Sequence, residues 1–117
     1  MPTIRDLVAA IRQHDGVEAA IVLGRDGLVI DGQSTGHLGP EDLAAHLPGV
    51  VNAADELGRA AGRGALVTAV LEYPQGVAIV SAVSADALLL VLMQPGANIA
   101  QLLFELRRNR EHIAALV

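Results

Sequence analysis

The residues with chemical potential in this chain are few, and their spacings argue against a reaction centre. Four histidines could ligate a metal or act as bases: His14, His37, His46 and His112. No two stand at the i,i+4 helical spacing that turns two imidazoles toward one ion. Asp42 and His46 do have that spacing, but one carboxylate and one imidazole are too few for a zinc site, and the pair reads as a helix-surface ion pair. Ser81 and Ser84 lack the Gly-x-Ser-x-Gly elbow of a hydrolase nucleophile. Gly58 to Gly64 is glycine-rich but lacks the Lys-Ser/Thr ending of a phosphate loop, and it follows a helical pattern where such a loop follows a strand. Cysteine is absent, which excludes disulfides, thiolate metal sites and cysteine nucleophiles. The sequence therefore nominates no catalytic residue, no cofactor and no metal, and points to a protein that acts by presenting a surface.

Composition says what kind of surface. Of the 117 residues, 52% are hydrophobic, only 18% are charged, and glycine adds twelve more positions. Ordinary soluble domains run at about 45–50% apolar with glycine included, and about 25% charged. A small domain has proportionally more surface to cover, so the excess leaves apolar area exposed on a monomer and predicts a subunit contact. A membrane span is not expected, because Gln94, Pro95, Gly96 and Asn98 interrupt the least charged stretch, Ala87 to Phe104. The net charge of −5 has the wrong sign for a nucleic-acid binder. All eight basic residues are arginines. Arg107, Arg108 and Arg110 cluster where cations meet the negative end of a helix dipole, either as a basic partner site or, more simply, as a solvated face. Arg5 and Asp6 lie within a start that has no apolar segment, so no signal peptide is expected and a cytoplasmic protein is.

The elements that position these residues follow from periodicity. Thr3 and Asp6 form a capping-box variant ahead of a stripe of Ile4, Leu7, Val8 and Ile11, and Asp15-Gly16 ends this first helix. Val17 to Leu23 and Leu28 to Asp31 read as strands joined by an Arg25-Asp26-Gly27 turn of the tight primed kind, followed by a polar loop from Gln33 to Gly39. Pro40, Glu41 and Asp42 start a long middle helix whose stripe is Leu43, Leu47, Val50, Val51, Ala54, Leu57 and Ala61. Pro48 predicts a kink or restart, and Gly58 weakens the helix by about 1 kcal/mol relative to alanine. A second stripe, His46, Gly49, Ala53, Glu56 and Ala60, is mostly small and suits close approach of another helix, or else is simply solvated. Leu66 to Tyr73, Val77 to Val83 and Ala87 to Met93 form a three-stranded meander, with turns at Pro74-Gln75-Gly76 and Ser84-Ala85-Asp86. The strands are apolar on both faces, so helices must cover both. Asn98, with Gln101, caps a final helix with a buried face of Ile99, Leu102, Leu103, Leu106 and Ile113. The order is α-β-β-α-β-β-β-α, an α+β fold expected to span residues 1–117 as one domain.

That order resembles the roadblock/dynein light-chain family, including its bacterial MglB-like members. The matching pieces are Arg25-Asp26-Gly27-Leu28-Val29-Ile30, Gly62-Arg63-Gly64, Leu71-Glu72-Tyr73, Ser84-Ala85-Asp86-Ala87-Leu88-Leu89 and Gly96-Ala97-Asn98-Ile99-Ala100-Gln101, in order over nearly the whole chain. The resemblance implies a five-stranded antiparallel, profilin-like sheet with one helix on one face and two on the other. It also implies a homodimer joined through the middle helix and third strand, which maps onto Ala53, Glu56, Ala60, Val67, Ala69 and Leu71. It further implies action on a small Ras-like GTPase, in some members as a GTPase-activating protein, with Asn52, Arg59 and Arg63 as candidate partner contacts. An arginine finger from Arg59 or Arg63 would be the obvious tool. Arg63 equally suits a role in capping the helix end, and activation by repositioning the GTPase's own residues needs no donated arginine. Three readings stay open: GTPase regulator, passive adaptor or scaffold of a motor or signalling complex, and small-ligand sensor or enzyme.

Overall fold

Side-chain caps fix where the first helix begins. In the computed structural model, which describes residues 2–117, the Asp6 N–H donates to Thr3 Oγ1 at 3.2 Å and the Thr3 N–H donates to Asp6 Oδ2 at 2.9 Å. Both orphan donors are thereby satisfied at the start of α1 (Ile4–Arg12). Thr3→Ala is expected to cost about 1 kcal/mol, readable as a lower urea midpoint at unchanged m-value.

Strands β1 (Val17–Gly24), β2 (Val29–Ser34), β3 (Thr68–Tyr73), β4 (Gly76–Ala82) and β5 (Ala87–Met93) form one antiparallel sheet in the order β2-β1-β5-β4-β3. The two central partners, β1 and β5, are the most continuously apolar and are buried almost throughout. Strand β2 runs three residues beyond the expected Asp31, with Gln33 opposite Ala20 and Ser34 opposite Ala19. Polar residues are tolerated there because β2 is an edge. The β1–β2 connection is not the expected primed two-residue turn. Only Gly27 has a positive φ, 91°, and the register slips between Val22 and Leu23, as in a longer loop ending on a glycine bulge.

Helices α2 (Pro40–Ala45) and α3 (Leu47–Ala60) replace the single middle helix, with the break at His46. Pro48 falls in the first turn of α3, where its missing N–H has no intrahelical partner to lose. The expected Asp42–His46 ion pair does not form, Arg25–Asp55 being the only ion pair among the described residues. The final helix also divides, into α4 (Ile99–Arg108) and α5 (Arg110–Leu116), at Asn109, whose Nδ2 donates to the Glu105 carbonyl at 2.9 Å. At the start of α4 the Gln101 N–H donates to Asn98 Oδ1 at 3.0 Å, as the capping pattern requires.

Alternation divides the core in two. Val8 and Ile11 of α1, Leu102 and Leu106 of α4 and Ile113 of α5 pack on Val22, Ile79, Leu89 and Val91. Ala44 of α2 and Leu47 and Val51 of α3 pack on Ile21, Leu23, Val80, Leu88 and Leu90 from the other side. The expected sandwich is present, with each former single helix in two pieces.

Candidate functional site on α3 and the β3 edge

Helix α3 presents its inner face on a track that the apolar stripe only partly marks. Leu47, Val51 and Asp55 are buried and Gly58 is half-buried, while Leu57, expected inside, is 72% exposed and Ala61 is also exposed. The restart at His46 resets the helical phase, so a stripe drawn from Leu43 drifts off the inward track.

Asp55 is the only buried polar or charged residue among those described. Its Oδ1 accepts the Leu66 N–H at 2.7 Å, and its Oδ2 accepts from Arg25 Nη1 at 3.3 Å. One carboxylate therefore ties α3 to the β1–β2 turn and to the segment that leads into β3. The Leu66 N–H, foremost, and the charges of Arg25 and Arg59 hold the Asp55 carboxyl below its ordinary 3.8, against the opposing effect of burial. A depressed carboxylate contributes stability that is fully present above the unfolded value and is lost as pH falls through the folded one. Acid titration of unfolding free energy is therefore expected to show a decline beginning near pH 4 that Asp55→Asn flattens.

Glycines shape the end of α3. The Gly62 N–H donates to the Arg59 carbonyl at 3.0 Å and the Arg63 N–H to the Gly58 carbonyl at 2.7 Å, with Gly62 at φ 69°. This is a Schellman closure. It turns the chain back so tightly that a Cβ on Gly58 would overlap the Gly64 carbonyl oxygen.

The outer face of α3 is uncovered. His46, Gly49, Ala53, Glu56 and Ala60 are all exposed, and a Cβ on Gly49 would meet nothing within 4 Å. Asn52, Arg59 and Arg63 lie in the same region, the first two on α3 and the third in the turn beyond it, and all three are exposed. Next in the chain, Val67 is 45% exposed, while Ala69 and Leu71 of β3 lie half-buried against the α2/α3 core. Strand β3 forms one edge of the sheet, with its outer side unpaired. Exposed apolar residues concentrate here: Leu57, Val67, Val70 and Tyr73 are four of the seven large ones among the described residues. Among the described residues, no three His, Asp or Glu side chains converge in a way that could hold a metal, and no helix is long and apolar enough to cross a membrane. Sequence reasoning missed Asp55 and Arg25, because a lone acid on a helix and an arginine in a turn both read as solvent-facing.

A family model for the Roadblock/LC7 domain matches residues 3–93. The chain belongs to the Roadblock/LC7 family. Its matched region ends with β5, before α4 and α5. Among solved structures, one described as MglB with tetrameric arrangement superposes with a TM-score of 0.86 at 16% identity, covering 96% of this chain and 85% of that one. The gliding protein MglB from Thermus thermophilus gives 0.83 at 17% identity, covering 96% and 86%. A Roadblock/LC7 domain from Streptomyces avermitilis gives 0.71 at 26% identity, covering 96% and 99%. A search of curated protein sequences gives no significant match. These likenesses confirm the Roadblock/LC7 fold: the five-stranded sheet and its flanking helices are the family's architecture on this sequence.

Proposed function

We propose that this Roadblock/LC7 protein is a homodimeric, non-catalytic regulator of a small Ras-like GTPase, formed by residues 1–117 acting as one domain in the cytoplasm. Membership of the family, with MglB structures among its structural neighbours, carries the reading. The dimer contact is assigned to Ala53, Glu56 and Ala60 of α3 with Val67, Ala69 and Leu71 at the β3 edge, and the GTPase contact to Asn52, Arg59 and Arg63. The physical support is the uncovered small-residue face beside an unpaired apolar edge, a combination that invites aggregation unless a second copy closes it. The accessible surface of 6804 Å² exceeds the roughly 6,000 Å² of a typical monomer of this size and points the same way.

Light scattering over a dilution series is expected to give twice the chain mass for the wild type and the chain mass for Ala53→Arg, with its circular dichroism unchanged. A wild-type monomer that stays soluble when concentrated would sink the assembly. The dimer is then mixed with Ras-like GTPases of the source genome and GTP hydrolysis followed. Faster hydrolysis, lost in Ala53→Arg or in Arg59→Ala, supports an activator. Tight binding with unchanged turnover would leave the adaptor reading in its place, and no binding to any of them would overturn both.

A further inference from the structure

The basic junction of the last two helices lies over a pair of half-buried hydroxyls that bond to no other protein side chain. Thr68 and Ser81 stand directly opposite one another on β3 and β4, so their side chains share a sheet face, with Cβ atoms about 5 Å apart. It is the face covered by α1 and α4, since Ile79, two residues from Ser81, packs there. Leu103, Leu106 and Arg107 of α4 and Arg110 of α5 complete a hollow of about 10 Å³ around the two hydroxyls. The hydroxyls of Thr3, Ser34, Thr35 and Ser84 all bond to protein groups. Those of Thr68 and Ser81, the only other serine or threonine hydroxyls in the chain, have no side-chain hydrogen bond among the described residues. Neither Arg107 nor Arg110 has a carboxylate within ion-pair distance among those residues.

We propose that this hollow binds a phosphate-type oxyanion. Its volume matches one water-sized sphere, so a single oxygen enters between the two hydroxyls and the remaining oxygens stay at the mouth with the guanidinium groups. Hydroxyls donate to an anion and arginine forks grip it bidentately. The Leu103 and Leu106 floor keeps water from that side, which strengthens each charge-assisted bond. In a protein of net charge −5, two of the eight arginines line this hollow, opposing the general repulsion of anions. Both a free phosphate and a phosphorylated side chain of a partner carry this chemistry.

Titration of the full-length protein with inorganic phosphate, followed by amide chemical shifts at neutral pH and constant ionic strength, tests the site. Saturable shifts confined to Thr68, Ser81, Arg107, Arg110 and their neighbours are expected, with affinity in the millimolar range. Ser81→Ala and Arg110→Gln are each expected to weaken it about tenfold. Arg110 is exposed, so its variant should fold, and unshifted amides elsewhere will show that it has. Shifts that stay linear throughout the titration, or saturable shifts that Arg110→Gln leaves unchanged, would overturn the proposal. Repeating the titration with O-phosphoserine separates the sources: a tighter fit than inorganic phosphate assigns the site to a phosphorylated side chain, and an equal or weaker one to the free anion.

Discussion

Asp55→Ala is expected to lower the melting temperature by roughly 5–15 °C, from the orphaning of a part-buried backbone donor in a small domain. The Leu66 N–H loses its acceptor, and Arg25 loses the carboxylate that holds it against α3. Arg25 is one-third exposed and can turn to water, so Arg25→Ala should cost much less. The Leu66 amide has no such recourse while the α3–β3 turn keeps its shape. Thermal unfolding gives the size of the effect, and hydrogen exchange at Leu66 gives its cause. If Leu66 stays as protected in Asp55→Ala as in the wild type, the carboxylate is not what anchors the entry to β3. Because that entry carries Val67 to the proposed contact, the same substitution should also weaken self-association.

Gly58→Ala is the second large effect, and its expected sign runs against helix propensity. In an exposed helix interior, alanine in place of glycine stabilises by about 1 kcal/mol. Here the added Cβ would overlap the Gly64 carbonyl oxygen, a backbone atom fixed by the Schellman closure and unable to swing aside as a side-chain tip could. A net loss of about 3 kcal/mol is expected, at the upper end of overpacking costs. The check is the urea midpoint of Gly58→Ala beside that of Gly49→Ala. Position 49 lies on the same helix with open space around it and should gain stability. If both variants are stabilised, the tight return of the chain is not rigid.

The contrast between these two glycines shows what the sequence could and could not say. Periodicity placed β5 at its observed bounds, Ala87–Met93, and put caps at Thr3 and Asn98, because apolar runs and caps are local properties of residue type. The family resemblance supplied the five-stranded sheet and the faces its helices cover. Three features were illegible for physical reasons. Asp55 lies on the inward track of α3, but a charge there looks wrong until its partners arrive from Arg25 and Leu66, which are remote in the chain. Leu57 looked buried because apolar identity substituted for phase after the Pro48 restart. The division at Asn109 left no mark, since the Ile113 N–H still reaches the Asn109 carbonyl at 2.8 Å and the chain barely leaves the helical path. For the proposed surface, sequence marked Ala53, Glu56 and Ala60 by spacing. The exposure of Tyr73 and Val70 needed the fold, because strands that are apolar on both faces do not announce which side is left open.

The two edges of the sheet differ, and that difference sets a stopping rule for growth. On β2 the Gly32 N–H is already taken by Asp31 Oδ1 at 2.8 Å, and Gln33 and Ser34 follow. An incoming strand would find a donor occupied and a charge in its way. On β3 the exposed Glu72 is also a charge, but no side chain among the described residues takes a backbone donor of the strand. Joining through β3 about a two-fold axis, as proposed, consumes both permissive edges at once and leaves β2 at each outer end. In the proposed dimer, an asymmetry internal to one chain would leave only the guarded edges outermost. Removing Asp31 would convert a terminating ribbon into one with a reason to continue.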